Sequence, residues 1–192
     1  MTFTPGLIGA VASSGGAPKE TWVALASTAL GSDTVGVTWT SAGSTESWAN
    51  FQDLVVVAYS QSTTTANGVI IQYNNDTTTA NYQYQDMYTA GAAPISAGGT
   101  TKGLYLLWSD KHATQNETYA IGMTYIYDIN DTNKWTSGIS RFADDRNGSG
   151  YGGLETGLWK DTSAVSEIDL IDWYGNAFAA GSRYDLYGIR GE

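Results

Sequence analysis

No cysteine occurs among the 192 residues, so thiolate zinc centres, iron–sulfur clusters, cysteine nucleophiles and disulfide staples are all excluded. Histidine occurs once, at His112, so a site of several imidazoles cannot form within one chain, and any histidine-dependent triad would have to use that ring. Flanked by Asp110 and Lys111, His112 is expected in a water-exposed loop rather than as a catalytic base. Charge is scarce: 15% of residues are charged, against about a quarter in an average protein. The few charges sum to −10, and the nine lysines and arginines are scattered singly. A nucleic-acid binder needs a basic stripe to release counterions, so no nucleic-acid partner is expected. The same sign disfavours anionic membranes, and no apolar run approaches the roughly 20 residues of a membrane-spanning helix. With no basic region leading into a hydrophobic core at the start, the expectation is a soluble chain without an export signal and without a membrane partner.

What is present is threonine, with 23 glycines, 13 tyrosines and 7 tryptophans. That mixture favours pleated, half-buried surfaces joined by turns, and the expected class is all-β. The length fits one domain that buries about 70% of its unfolded surface. Residues 1–20 differ in composition, with Pro5, Pro18 and several glycines and serines, and are expected to be an extended N-terminal arm carrying the apolar side chains Phe3, Leu7, Ile8 and Val11. Residues 21–192 are expected to form the β-sandwich domain.

Within that domain the hydrophobic period is two. It is clearest over 119–130, where Tyr119, Ile121, Met123, Tyr125, Tyr127 and Ile129 alternate with smaller or polar residues. Weaker alternation covers 22–30, 35–39, 69–73, 104–108 and 184–189, and the run 54–57 is apolar on both faces, as in a strand covered on each side. Turn clusters every 8 to 15 residues or so suit a sandwich rather than βαβ units, and no segment reads as an amphipathic helix.

Three patterns invite chemistry and fail on physical grounds. Residues 148–153 match GxGxxG with Asp172 downstream, but no buried strand precedes them and no helical period follows, so a hairpin or loop is expected. The oxygen-rich stretch 128–133 has Asn133 where a calcium loop needs glycine and Ile139 where it needs glutamate, so an Asx-rich turn is expected. Two positioned acids would suffice for a glycosidase, yet nothing singles out a pair among Asp144, Asp145, Glu155 and Glu167, which are expected to be solvated. No GxSxG elbow occurs. Four glycosylation-type sequons, at Asn75, Asn116, Asn130 and Asn147, reflect the Asn and Thr richness of the turns. The aromatic residues carry more promise. Tyr82, Tyr84 and Tyr88 fall on one side of a strand opposite Gln83, Gln85 and Met87, as a ladder that packs in the core, contacts another subunit or stacks on a glycan.

Several stretches resemble one known family. Leu30-Gly31-Ser32, Val37-Thr38-Trp39, the run 53–57, Tyr73-Asn74-Asn75-Asp76 with Asn81-Tyr82, and Phe178-Ala179-Ala180-Gly181-Ser182 leading into 184–189 are similar to the pattern of a family of tailed-bacteriophage virion structural proteins. The likeness spans most of 22–190, and its closing motif is the most specific part. It departs at Asn75, where the family usually has glycine, and at 58–61, where an arginine-bearing strand end is common. The resemblance implies a jelly-roll-like antiparallel β-sandwich without cofactor or catalysis, serving as a capsid decoration or cement protein on the outer surface of the head. The implied partners are the major capsid protein and sibling subunits, a homotrimer by analogy, with the arm residues Phe3, Pro5, Leu7, Ile8 and Val11 touching the capsid. The alternative is a tail or fibre module recognising a host glycan, and a glycan-degrading enzyme stands third.

Overall fold

The computed structural model describes residues 21–64, 68–90, 93–108, 119–144 and 150–191. The arm residues Phe3, Pro5, Leu7, Ile8 and Val11, together with His112, Asn116, Asp145 and Asn147, lie outside them. The described residues form twelve strands in two sheets, with every pairing antiparallel. In chain order they are β1 (Trp22–Ala29), β2 (Gly36–Thr40), β3 (Asp53–Ser60), β4 (Gly68–Tyr73), β5 (Tyr82–Ala90), β6 (Ala93–Thr101), β7 (Leu104–Trp108), β8 (Ala120–Tyr127), β9 (Thr136–Asp144), β10 (Tyr151–Trp159), β11 (Glu167–Asp172) and β12 (Arg183–Ile189). Three single 3-10 turns are the only helical pieces among the described residues.

The larger sheet runs β1-β12-β3-β8-β9-β10-β5-β6 and the smaller β2-β11-β4-β7. With the hairpins β5–β6 and β9–β10 set aside, the other eight strands alternate between the sheets as a folded-over antiparallel ribbon, β1-β12-β3-β8 over β2-β11-β4-β7. This is the jelly-roll order expected. The two hairpins leave the ribbon at different points, and β10 pairs with β5 over nine residue pairs, so together they extend the larger sheet beyond β8.

The core between the sheets is aromatic as well as aliphatic, with Trp48, Trp159, Tyr73, Tyr82, Tyr184 and Phe178 among its largest fully buried side chains. Most polar tips find partners, which is what lets such residues sit in a core. The indole of Trp159 donates to Asp76 Oδ2 at 2.7 Å, that of Trp48 to Ser44 Oγ at 2.8 Å, and the Tyr184 hydroxyl meets Ser60 Oγ at 2.6 Å. Burial pushes the Asp76 carboxyl up, but bonds from Asn81, Trp159 and Thr78 together hold it below its ordinary value.

The motifs of the resemblance occupy structural corners. Asn74 and Asn75 adopt φ of 52° and 58°, so Asn75 takes the left-handed backbone that a glycine would take there, a conformation asparagine tolerates. Asn74 Oδ1 accepts from the amides of Ser166 and Glu167, tying the end of β4 to the start of β11. Gly181 has φ of 90° as its turn requires, whereas Gly31 has no positive φ. The closing strand β12 lies between β1 and β3. Val55 in β3 is fully buried although it faces outward; its neighbours in register are Tyr125 and Tyr187, whose rings both meet Trp22.

Candidate interaction surfaces

Strand β5 alternates as expected, with Tyr82, Tyr84, Asp86 and Tyr88 toward the smaller sheet and Gln83, Gln85 and Met87 exposed on the opposite face. The three tyrosines do not form one exposed ladder. Tyr82 is fully buried; its hydroxyl accepts from the Tyr73 amide and donates to the Asp76 carbonyl, both at 3.0 Å. Tyr84 and Tyr88 are half-buried and join a cluster with Tyr105, Trp108, Tyr151 and Trp173. Tyr105 sits between Trp108 and Trp173, with ring centroids 5.0 and 5.1 Å away, and Lys102 lies over Trp173. The rings pack mainly against one another. The indole N–H of Trp108 is buried without a partner among the described residues.

Beneath this cluster the extension carries a polar row on its inner face: Thr124, Ser140, Glu155 and Asp86 stand side by side in register on β8, β9, β10 and β5, all buried. Strand β7 lies across it, and the row supplies what this edge strand of the smaller sheet lacks. Glu155 Oε1 accepts from the Tyr105 amide at 2.8 Å, and Ser140 donates to the Tyr105 carbonyl. Because that donation uses the only serine hydroxyl proton, Thr124 must donate to Ser140 across their 2.7 Å contact. Glu155 is therefore not the solvated acid expected. Burial pushes its carboxyl well above the ordinary glutamate value, opposed by the Tyr105 amide and reinforced by the charge of Asp86, and its Oε2 has no partner among the described residues. The next row along pairs Gly157 with Gly138, and a Cβ on Gly157 would collide with Leu104 Cδ2. These glycines allow β7 to lie directly on the sheet.

The acids weighed as a catalytic pair are separated in role. Asp144 is buried on the inner face of β9, and Glu167 is half-exposed at the start of β11. The stretch 128–133 forms the expected Asx turn, with Asp131 capping the Asn133 amide and Lys134 pairing with Asp128. Of the GxGxxG stretch, Tyr151 to Gly153 open β10, a hairpin strand.

The feature that the sequence did not orient is the outer face of the larger sheet. The alternation over 119–130 is real, but its large residues Ile121, Met123, Tyr125 and Tyr127 point outward while Ala120, Thr124 and Ile126 are buried. Trp22, Tyr59, Met87, Ile121 and Leu154 are exposed by 43, 47, 60, 55 and 41% on this face. Its formal charges are two aspartates and two arginines, Asp53, Asp185, Arg141 and Arg183. Arg183 pairs with Asp185 at 2.9 Å, and Arg141 lies over the Tyr125 ring at 5.9 Å. A shallow depression of about 430 Å³ opens between Val57, Tyr59, Ile121, Met123 and Arg141, and a broader one of about 650 Å³ spans Gln83, Gln85, Ile139, Thr156 and Leu158. The signal that could have oriented β8 is Gly122, between alanine and threonine positions, where a Cβ would meet the Leu106 carbonyl at 2.7 Å.

No family model, curated protein or solved structure matches this chain.

Proposed function

We propose that this chain is a non-enzymatic structural component of a tailed-phage virion, a decoration or cement protein that binds across neighbouring subunits of the head and stabilises the shell. The observation that carries the reading is the outer face of the larger sheet: a wide, apolar, charge-balanced surface on a chain whose net charge is −10. Exposed apolar surface of this extent marks an interaction site. Its even charge suits contact with protein, while the acidic remainder avoids packaged nucleic acid. The jelly roll supplies a stiff platform for such contacts, and the resemblance in sequence motifs supplies the assembly. Residues 1–20, with Phe3, Pro5, Leu7, Ile8 and Val11, are a further proposed capsid contact. Binding only the assembled shell, such a protein stabilises it by mass action.

A second reading, a fibre module for a host glycan, draws on the half-buried rings of Tyr84, Tyr88, Trp108 and Tyr151. It is the weaker of the two because those rings already occupy one another. One experiment separates them: the purified chain is mixed in parallel with emptied heads and with host cells, and co-sedimentation is measured. Saturable binding to heads without added sugar is the expected result, whereas binding to cells alone would replace the first reading with the second. Immunogold label spread over the head of intact virions is the corresponding expectation in place.

A further inference from the structure

We infer that β6 is a seam between two copies of this chain, joined antiparallel and strand to strand, so that the larger sheet of one continues into that of the other. The inference does not depend on the virion reading.

The two edges of the larger sheet are built differently. At β1 the register with β12 shifts between Ala24 and Ala26, and the carbonyls of Ala24 and Leu25 accept hydrogen bonds from the Thr45 hydroxyl and amide. A bulge and a covering loop are the usual means by which an edge is closed to further pairing. Among the described residues, strand β6 has neither. It is nine residues long, pairs with β5 without a register shift, and exposes every residue except Thr101. It contains no charged side chain, and Pro94 blunts only its hairpin end. Among the described residues, the backbone groups of β6 that face away from β5 have no partner. Unpaired amides and carbonyls in such a row form a template for another strand.

Charge selects the occupant. Two copies that each carry −10 repel over most of their surfaces. The outward-facing side chains of β6, β5 and β10 include no Asp, Glu, Lys or Arg, so like meets like here without cost. A two-fold axis perpendicular to the sheet lets one strand satisfy both edges and keeps the outer faces on the same side. Beside the edge a depression of about 440 Å³, lined by Met87, Thr89, Pro94, Ile95, Ser96 and Gly152, gives the partner's side chains a place to pack. Copies then associate in even numbers, in place of the threefold grouping that analogy suggested.

The test uses the full chain. Sedimentation equilibrium up to about 100 µM should give twice the monomer mass, and Ser96→Lys combined with Thr100→Lys should weaken the dimer by about tenfold or more. Both side chains are exposed, so circular dichroism should stay unchanged, as should the thermal midpoint at dilutions where wild type and variant are both monomeric. Because the chain has no cysteine, single-cysteine variants along 94–100 provide a second readout. A two-fold antiparallel seam sets one β6 residue opposite its own copy, and that variant should give a disulfide-linked dimer on mild oxidation, with yield falling to either side. A monomer throughout the range, an assembly of three copies, a dimer indifferent to the lysines, or no cross-link at any position would each overturn the seam.

Discussion

The two halves of the larger sheet solve the same problem by different means. In the jelly-roll half, β1, β12, β3 and β8 lay inner side chains such as Leu25, Leu54, Val56, Leu186 and Ile126 against the smaller sheet, and the interior is a conventional apolar core. In the extension the smaller sheet has run out. Among the described residues β7 covers the middle of the inner face, which there carries Ser140, Glu155, Asp86 and a pair of glycines where the other half carries leucine and valine, while Tyr82 and Trp159 pack against Tyr73 at the end of β4. Four strands can thus be added to a sandwich without a second layer, provided that the last strand of the opposite sheet is bonded down by buried polar groups. The price is a buried carboxyl.

The sharpest way to break this contrast is to remove apolar volume from the jelly-roll half. Leu186→Ala should destabilise the fold by about 2–5 kcal/mol in chemical denaturation, as a fully buried leucine does; a loss below about 1 kcal/mol would mean that this half is not held by apolar packing. In the extension the corresponding change is addition of volume. Gly157→Val places atoms into Leu104 and should cost about 1–3 kcal/mol, with β7 displaced rather than the whole domain unfolded. Hydrogen exchange at the Tyr105 amide would report that displacement.

The buried acid gives the contrast a pH signature. The unfolded carboxyl of Glu155 has the ordinary glutamate value of 4.5, and its folded value is raised by burial. Between those values the native state holds more protons than the unfolded one, so this contribution to stability is complete below the unfolded value and is lost as pH rises through the folded one. Glu155→Gln cannot titrate. Its unfolding free energy relative to wild type should climb from pH 4 toward pH 8, by on the order of 1 kcal/mol per unit of displaced pKa, with the thermal midpoint rising in the same sense. A difference that stays flat with pH would show that Glu155 carries no such penalty. The smallest effect is expected on the outer face, where Met87→Ser should change stability by no more than about 0.5 kcal/mol. A larger loss would mean that Met87 is covered in the isolated chain.

How far the sequence could be read depended on the range of the interaction. The strands β1, β2, β4, β7, β8 and β12 were visible from alternation within a few residues, and the apolar run 54–57 was visible as β3. Strands β6, β9 and β10 were not, because glycine and serine dilute their pattern: β6 has three such residues between Ile95 and Thr100, and β10 begins with Tyr151-Gly152-Gly153. Gly153 leaves room for Phe142 and Tyr88, whereas Gly99 and Gly152 have little near them, and neither reason is local. The tyrosines of β5 were placed on one face correctly, but their depth was not, since Tyr82 lies beside Trp159 and against Tyr73 at the end of β4 while Tyr84 and Tyr88 pack on Tyr105 and Trp108 of β7.

By itself the sequence determined the all-β class, the strand at each end of the sandwich, and the corners at Asn74 and Gly181, because alternation, β-branching and left-handed turns are properties of a few neighbouring residues. Only the tertiary structure decided which face of β8 is buried, that Glu155 serves the backbone of Tyr105, that two distant hairpins zip together, and that β6 is left open while β1 is closed. Each of those depends on which strands become neighbours, and a period of two reads the same whichever side the partner sheet comes to cover.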